Sequence, residues 1–286
     1  MNPLVRAAIA AYGTLAPNRA AHWFEKVLLT PRPVRSNSAP KPVAPALAWR
    51  LPYGGGDLAG ATYDPDWSGE VAPTALLLHG WGGSSASLGA FVDPLVEAGY
   101  RVLTCDLPAH GRSDGQRTNI IEAAGAVLEI GRGFGPFAAI VTHSFGGPVA
   151  ALAITRGLVA DRVAMLAPPR SIPALSFPIA AAIGLPRRTA DLMFRRFAQR
   201  LGFAWKDIET DHMVRRLGAP LLVIHDEEDP KVPWSHGAQI ARAAPAGRLL
   251  TTNGLGHRDV LTDPGVVQHV LLFVTNGRLD AERRIA

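Results

Sequence analysis

The chain has 286 residues, of which 48% are hydrophobic, and its net charge is +5. This length and apolar content allow a substantial buried core and suit one α/β domain that carries an insertion. The single cysteine, Cys105, excludes an internal disulfide bond and favours a reducing compartment, so we expect a cytoplasmic location. The sequence has no run of about 18 apolar residues, which argues against an integral membrane segment.

Residues 1–45 are predicted to form a helical arm followed by a proline-rich linker. The stretch 20–29 has the spacing of an amphipathic helix, with Trp23 and Phe24 among its apolar side chains. Such a face usually packs against the rest of a protein. A weak membrane-surface contact and a homodimer arm are the alternatives. The stretch 30–45 contains repeated prolines and forms the linker.

From residue 46 onward, short apolar runs alternate with helical patterns. The runs 46–51 and 58–63 flank a glycine-rich turn and predict a β-hairpin. The units that follow are strand 74–79, helix 85–98, strand 101–105, helix 118–132, strand 137–142, helix 146–157 and strand 162–166. Alternation of this kind predicts an α/β fold with a mostly parallel, doubly wound sheet. Such sheets place functional sites at the carboxyl ends of their strands.

One serine lies at a predicted strand-to-helix turn. Ser144 follows the apolar run 137–141 and precedes the helix-compatible stretch 147–156. A tight turn there lifts a serine hydroxyl above the sheet, beside the amide donors of the next helix, which suits a nucleophile. Gly146 has no side chain beyond a hydrogen atom, which suits the close packing of this turn. The alternative is an ordinary turn in which Ser144 only caps the helix.

A glycine-rich loop follows the short apolar strand 76–78. Its residues Gly80 and Gly82 allow backbone N–H groups to turn toward a ligand. The N–H groups of Trp81 and Phe145 are the candidate oxyanion hole, in which two preorganised donors meet developing negative charge. A loop that merely caps the following helix is the alternative.

A carboxylate and a histidine follow two later strand-like runs. The run 220–224 leads into four consecutive acids at 226–229, and chemistry alone does not choose among them. A carboxylate there would hold a histidine in one tautomer and stabilise the imidazolium that forms when serine loses its proton. His257 follows the run 248–252 and the nearby glycines Gly254 and Gly256, which suits a histidine that projects from a loop.

These motifs and their order resemble those of the α/β-hydrolase superfamily. The order of serine, acid and histidine is the one that this fold uses, and the acidic loop ends at 229–233 as the acid motif of the family does. The resemblance therefore implies a catalytic triad of Ser144, Asp229 and His257. The alternatives for the acid are Asp226 and Glu228.

The resemblance covers residues 44–274 and implies an esterase-like or lipase-like serine hydrolase with a cap insertion. Thr142 departs from the pattern because it stands where the turn usually has its first glycine, and a β-branched side chain crowds such a turn. A second match, at 106–113, resembles a turn of the family, and there we interpret His110 as a structural residue.

The predicted cap is the segment 168–217, which contains helical patterns at 188–201 and 205–217. The α/β-hydrolase core then comprises 46–167 and 218–286. A cap can exclude water and shape a substrate pocket. Its apolar side chains that we expect to contact substrate are Phe177, Met193, Phe194 and Phe197.

The residues and the resemblance together predict hydrolysis of a carboxylic ester or thioester, with a small molecule as the substrate. Acyl transfer, perhydrolysis and carbon–carbon bond hydrolysis use the same triad and are alternatives, as is a non-catalytic ligand-binding role. We expect no cofactor and no metal, since no set of histidines has ligand spacing. We also expect no nucleic-acid partner, because the arginines are not interleaved with a recognition motif.

Overall fold

The computed structural model describes residues 2–33, 41–66 and 71–276. Within these residues eight strands form one sheet: β1 (Ala46–Tyr53), β2 (Gly56–Tyr63), β3 (Thr74–Leu78), β4 (Arg101–Cys105), β5 (Ala139–His143), β6 (Val163–Leu166), β7 (Leu221–Asp226) and β8 (Gly247–Thr252). They lie in the order β1-β2-β4-β3-β5-β6-β7-β8. The strands β1 and β2 form the predicted hairpin, β2 is antiparallel to β4, and the other neighbours are parallel. The predicted α/β fold with a mostly parallel sheet is therefore confirmed.

Helices connect most of the strands. They are α1 (Pro3–Leu15), α2 (Pro17–Leu29), α3 (Val92–Glu97), α4 (Ile120–Phe134), α5 (Gly146–Thr155), α6 (Ile172–Ala182), α7 (Arg187–Leu201), α8 (Thr210–Met213), α9 (Trp234–Ala243), α10 (Gly256–Asp259) and α11 (Pro264–Asn276). Short 3₁₀ helices occupy Ser85–Phe91, Trp205–Ile208 and Val214–Arg216. No helix in the described ranges combines the length and the apolar character that crossing a bilayer requires.

The central strands are buried along nearly their whole length. Every residue of β5, β6 and β7 is buried, as is β3 beyond its first residue. Strands of this kind are apolar on both faces because helices cover both sides of a parallel sheet. The core that results fixes the carboxyl ends of these four strands in one row, and the candidates Trp81, Ser144 and Asp229 follow the ends of β3, β5 and β7.

The predicted helix at 205–217 is interrupted. The structure has three short helical segments there instead of one helix. The backbone N–H and the side-chain hydroxyl of Thr210 form hydrogen bonds outside the segment. The N–H donates to the Arg170 carbonyl at 2.8 Å, and the hydroxyl donates to the Pro169 carbonyl at 2.7 Å. These two hydrogen bonds join Thr210 to the loop that follows β6, and they interrupt the predicted helix.

The chain forms two compact units, each with its own apolar core. The α/β unit comprises Pro31–Arg170 and Thr210–Ala286, and the helical unit comprises Met1–Thr30 and Ser171–Glu209. In the core of the helical unit, Phe24 of α2 packs in one cluster with Met193 and Phe197 of α7. The division departs from the predicted one, which kept residues 1–45 apart from a cap at 168–217. The apolar face of α2 accounts for this difference, since it is buried with α7.

Candidate active site

Ser144 lies in a strained turn between β5 and α5. Its φ angle is +48°, a left-handed conformation that side chains other than glycine adopt rarely. The turn is held by the Ser144 N–H, which donates to the Leu166 carbonyl at 2.9 Å. Gly146 is required two residues later, because a Cβ there would lie 2.5 Å from the Leu78 carbonyl oxygen. This is the sharp strand-to-helix turn predicted for a nucleophile, and strain of this kind concentrates at functional sites.

Thr142 fits beside this turn in spite of its β-branched side chain. The residue is fully buried within β5, before the chain turns. Its hydroxyl donates to the Ala164 carbonyl of the neighbouring strand β6 at 3.3 Å. The departure from the glycine of the family pattern is therefore absorbed by the sheet.

The loop after β3 approaches the same turn. A Cβ on Gly80 would lie 2.9 Å from His143 Nδ1 and 3.0 Å from Ser144 Cβ, so glycine is needed there. The Trp81 and Phe145 rings meet edge to face with centroids 5.1 Å apart. Among the described residues, no acceptor takes a hydrogen bond from the backbone N–H of Trp81 or of Phe145. The role of these two N–H groups as an oxyanion hole stays a prediction.

Asp229 and His257 come together at the ends of β7 and β8. The imidazole Nδ1 of His257 lies 2.7 Å from Asp229 Oδ2, and both residues are buried. The other carboxylate oxygen accepts from the N–H groups of Lys231 and Val232, at 2.8 and 2.9 Å. Because a carboxylate only accepts, Nδ1 carries the proton and leaves Nε2 of His257 as an acceptor.

The surroundings of Asp229 keep its carboxylate ionised. Burial acts to raise its pKa, but hydrogen bonds from His225, His257 and the Val232 N–H outweigh burial and hold the pKa well below its usual range. This charged carboxylate, 2.7 Å from Nδ1, orients the ring of His257.

His143 connects the serine turn to the histidine loop. Its Nε2 lies 2.9 Å from the His257 carbonyl oxygen, so Nε2 carries a proton and donates. The two rings are 4.8 Å apart. Burial, and then the neighbouring charge of His257, lower the pKa of His143 to about 3. His143 directly precedes Ser144. Its hydrogen bond therefore holds the backbone of His257 next to the serine turn. Within the described part of the chain, Ser144 Oγ itself makes no hydrogen bond.

Asp226 has a role in the structure that the sequence did not reveal. It is fully buried, and its Oδ2 accepts from the Thr252 hydroxyl at 2.7 Å and from the Leu255 N–H at 3.0 Å. Its Oδ1 accepts from the Glu228 N–H at 3.0 Å. Burial acts to raise the pKa of Asp226, yet these hydrogen bonds lower it. Asp226 thus ties the loop of the acid to the loop of His257, and its described contacts are with backbone and threonine.

His225 is a second residue that sequence reasoning missed. Its ring is fully buried, and Nε2 donates to the Val232 carbonyl at 2.9 Å. The same nitrogen lies 3.4 Å from Asp229 Oδ2, the oxygen that His257 contacts. Because His225 lies in β7, the acidic loop is held in place by a residue of the strand that leads into it. A buried histidine at the exit of an apolar strand was the signal that could have indicated this contact.

His79 and His110 line the loop that carries Trp81. Nε2 of His79 accepts from the Leu107 N–H at 2.9 Å, which fastens the end of β3 to the loop after β4. Burial lowers the pKa of His79 to about 4. The ring of His110 meets the edge of the Trp81 indole at 5.2 Å. Both histidines support the position of Trp81, in agreement with the structural role predicted for His110.

The predicted substrate contacts lie in the core of the helical unit. Met193, Phe194 and Phe197 are buried there, and Phe177 packs against them with its ring 5.2 Å from that of Phe194. Mutual packing accounts for their apolar character. Contact of these four side chains with substrate stays a prediction.

The chain belongs to the alpha/beta hydrolase family, whose model matches residues 75–268. That span contains every residue placed in the serine turn, the acidic loop and the histidine loop. The family assignment and the fold therefore agree with the resemblance that the motifs indicate.

Curated relatives match short segments of the chain. One is a dihydrolipoyllysine-residue acetyltransferase component of an acetoin cleaving system from Cupriavidus necator, 41% identical over 86 residues, or 29% of this chain and 23% of that protein. Another is a 2-hydroxy-6-oxononadienedioate/2-hydroxy-6-oxononatrienedioate hydrolase from Klebsiella pneumoniae, 47% identical over 49 residues, or 16% of this chain and 17% of that protein. The chain thus aligns with less than a quarter of the length of either relative.

Solved structures resemble the chain over much greater lengths. The esterase RhEst1 from Rhodococcus sp. ECU1013 has a TM-score of 0.59 and is 19% identical, with 81% of this chain and 98% of that chain covered. At this identity the likeness concerns the fold.

Proposed function

We propose that the protein is a serine hydrolase that cleaves a carboxylic ester or thioester through an acyl-serine intermediate. Ser144 is the nucleophile, His257 the general base and acid, and Asp229 the residue that orients and charges His257. The observation that carries the proposal is the 2.7 Å contact between His257 and Asp229, in a unit whose serine turn has φ +48°. A strained serine and an oriented histidine are what this chemistry requires.

The first half-reaction forms the acyl-enzyme. Ser144 Oγ attacks the carbonyl carbon of the substrate and transfers its proton to Nε2 of His257. The carbonyl electrons move to oxygen, and the backbone N–H groups of Trp81 and Phe145 bind that oxyanion. When the tetrahedral species collapses, His257 returns the proton to the leaving alcohol or thiol, and the acyl group remains on Ser144. One such donor is typically worth about 100- to 1000-fold in turnover.

The second half-reaction releases the acyl group. His257 takes a proton from water, the hydroxide attacks the acyl carbonyl, and the same N–H groups bind the second oxyanion. Collapse restores the Ser144 hydroxyl with the proton held by His257 and frees a carboxylic acid. In both halves the ionised Asp229 offsets the positive charge that His257 acquires.

Alternatives on the same residues differ in the acceptor or in the bond that is cleaved. An acyltransferase would pass the acyl group to an alcohol or thiol, a perhydrolase to hydrogen peroxide, and a carbon–carbon hydrolase would release a carbanion as leaving group. Similarity to an acetyltransferase component over a short segment is the observation that favours acyl transfer. Ester hydrolysis remains the preferred proposal because water needs no acceptor site.

A panel of p-nitrophenyl esters from acetate to palmitate tests the proposal. We expect wild type to release p-nitrophenol and Ser144→Ala to lose about 1000-fold or more of that activity. The matched control is Ser235→Ala, at an exposed serine of α9, which should keep the wild-type rate. Equal activity of wild type and Ser144→Ala would overturn the proposed nucleophile. Inactivity of folded wild type on every ester would leave the non-catalytic ligand-binding role as the better account.

A further inference from the structure

Helix α1 leaves an apolar face uncovered. Leu4 and Leu15 are 78% and 84% exposed, and Val5 and Tyr12 are exposed beside them. Because successive residues of an α-helix turn by about 100°, these four side chains fall within about 100° of one another around the helix. They form one continuous face, which is called the α1 face below.

The opposite side of α1 is the one that packs. Gly13 is buried, and a Cβ there would collide with Pro186. The Thr189 hydroxyl donates to the Gly13 carbonyl at 2.9 Å. Gly13 lies about 180° around the helix from Leu4. The α1 face therefore points away from the core of its own unit.

The helix is held in this orientation from its first turn. The Asn2 side chain accepts from the Leu4 N–H at 2.9 Å and caps the helix, and proline at the first helical position suits a helix start. Farther along, the Arg6 carbonyl touches Gly184 closely enough that a Cβ there would lie 2.6 Å from it. The contacts that hold α1 in its unit therefore do not involve the side chains of Leu4 and Leu15. An exposed apolar surface of this kind is typical of an interaction site.

The same unit carries the net charge of the protein. Its two segments contain nine Lys or Arg and four Asp or Glu, so that they hold the whole surplus of +5, and the remainder of the chain is balanced. All nine cationic residues are exposed: Arg6, Arg19, Lys26, Arg187, Arg188, Arg195, Arg196, Arg200 and Lys206. Ion pairs within the unit join Arg187 to Asp191 and Arg200 to Glu25. The unit therefore carries a net positive charge and also presents apolar side chains to solvent.

We propose that the helical unit binds the surface of an anionic lipid bilayer, with the α1 face inserted among the lipid headgroups. A helix with an apolar face lies in the plane of the interface, and cationic residues near it are attracted to anionic headgroups. A second copy of the chain is the weaker occupant, because two units of charge +5 repel each other. This surface is independent of the proposed ester chemistry.

Vesicle flotation of the full chain tests the proposal. The probes are phosphatidylcholine vesicles with and without phosphatidylglycerol, each at low and high salt. We expect wild type to float with the phosphatidylglycerol vesicles, more at low salt, and to stay behind with phosphatidylcholine alone. Leu4→Ser combined with Leu15→Ser should lower the bound fraction about tenfold or more, because the α1 face is lost. Arg195→Gln with Arg196→Gln should lower it several-fold and weaken its salt dependence.

Matched controls separate lipid binding from loss of folding. Leu47→Ser with Val159→Ser removes two exposed apolar side chains of the α/β unit and should bind as wild type does. Circular dichroism should show unchanged helicity for all three double variants. Absence of wild-type flotation, or equal flotation of the Leu4/Leu15 variant, would overturn the proposal. So would a dimer in sedimentation velocity that the Leu4/Leu15 variant dissociates, which would assign the α1 face to a second copy.

Discussion

Two buried carboxylates three positions apart carry out different tasks at the residue scale. Asp229 contacts the ring of His257, whereas Asp226 accepts from Thr252 and from the backbone of two loops. In both residues hydrogen bonds outweigh burial and lower the pKa. Ionisation alone therefore does not distinguish them, and the difference lies in which donor each oxygen meets.

Replacement of each acid by asparagine should separate these tasks. Asp229→Asn places an amide beside Nδ1 of His257, so we expect turnover to fall by about 10,000-fold. Asp226→Asn removes one acceptor oxygen among several donors, and should lower the free energy of unfolding by about 1–3 kcal/mol while reducing turnover far less. Steady-state kinetics and denaturant unfolding of both variants are the measurements. A larger loss of turnover in Asp226→Asn would reassign the acid.

His143 should make stability depend on pH. Its pKa is about 3 in the folded protein against a usual value of 6.5, first because of burial. As pH falls, the unfolded chain takes up the proton first. The contribution of His143 is therefore complete above about pH 6.5 and is lost between there and about pH 3.

The slope is the quantity to measure. Each such group contributes up to about 1.4 kcal/mol per pH unit. In His143→Gln the side chain can still donate to the His257 carbonyl but does not titrate, so we expect its free energy of unfolding to fall less than that of wild type between about pH 6 and about pH 4. Equal slopes for the two proteins would contradict a buried neutral His143.

At the scale of elements, the serine turn depends on how closely α5 approaches the end of β3. The first residue of α5, Gly146, faces the Leu78 carbonyl, and the N–H of Gly147 donates to the Ser144 carbonyl at 2.9 Å. The serine turn, the start of α5 and the glycine-rich loop after β3 therefore meet at the close approach of Gly146 to Leu78. A change in any of them moves the candidate nucleophile and oxyanion donors together.

Gly146→Ala tests this dependence. The added Cβ would lie 2.5 Å from the Leu78 carbonyl oxygen and must push α5 away from β3. We expect a loss of about 1–3 kcal/mol in stability and a lower rate of ester hydrolysis. Gly133→Ala in α4 is the matched control, since a Cβ there meets no atom within 4 Å. The control should be neutral or stabilising by up to about 1 kcal/mol. Similar behaviour of the two variants would argue against the close approach.

At the scale of the whole molecule, local patterns and long-range packing differ in what the sequence discloses. The parallel strands, the hairpin and the turn at Ser144 could be predicted, because apolar runs and glycines signal them locally. The burial of Phe24 with Met193 could not, since two segments far apart in the chain leave no shared pattern. For the same reason the acidic residues by themselves did not single out one carboxylate. The resemblance pointed to Asp229, and the structure adds the contact of Asp229 with His257.

The central claim is that Ser144 forms a covalent acyl intermediate, and labelling of the intact protein tests it most directly. Wild type, Ser144→Ala and Ser235→Ala would be treated with a fluorophosphonate that mimics an ester and analysed by intact-mass and peptide mass spectrometry. We predict one adduct per chain in wild type and Ser235→Ala, located on Ser144, and none in Ser144→Ala. An adduct on another residue, or labelling of Ser144→Ala at the wild-type rate, would contradict the account.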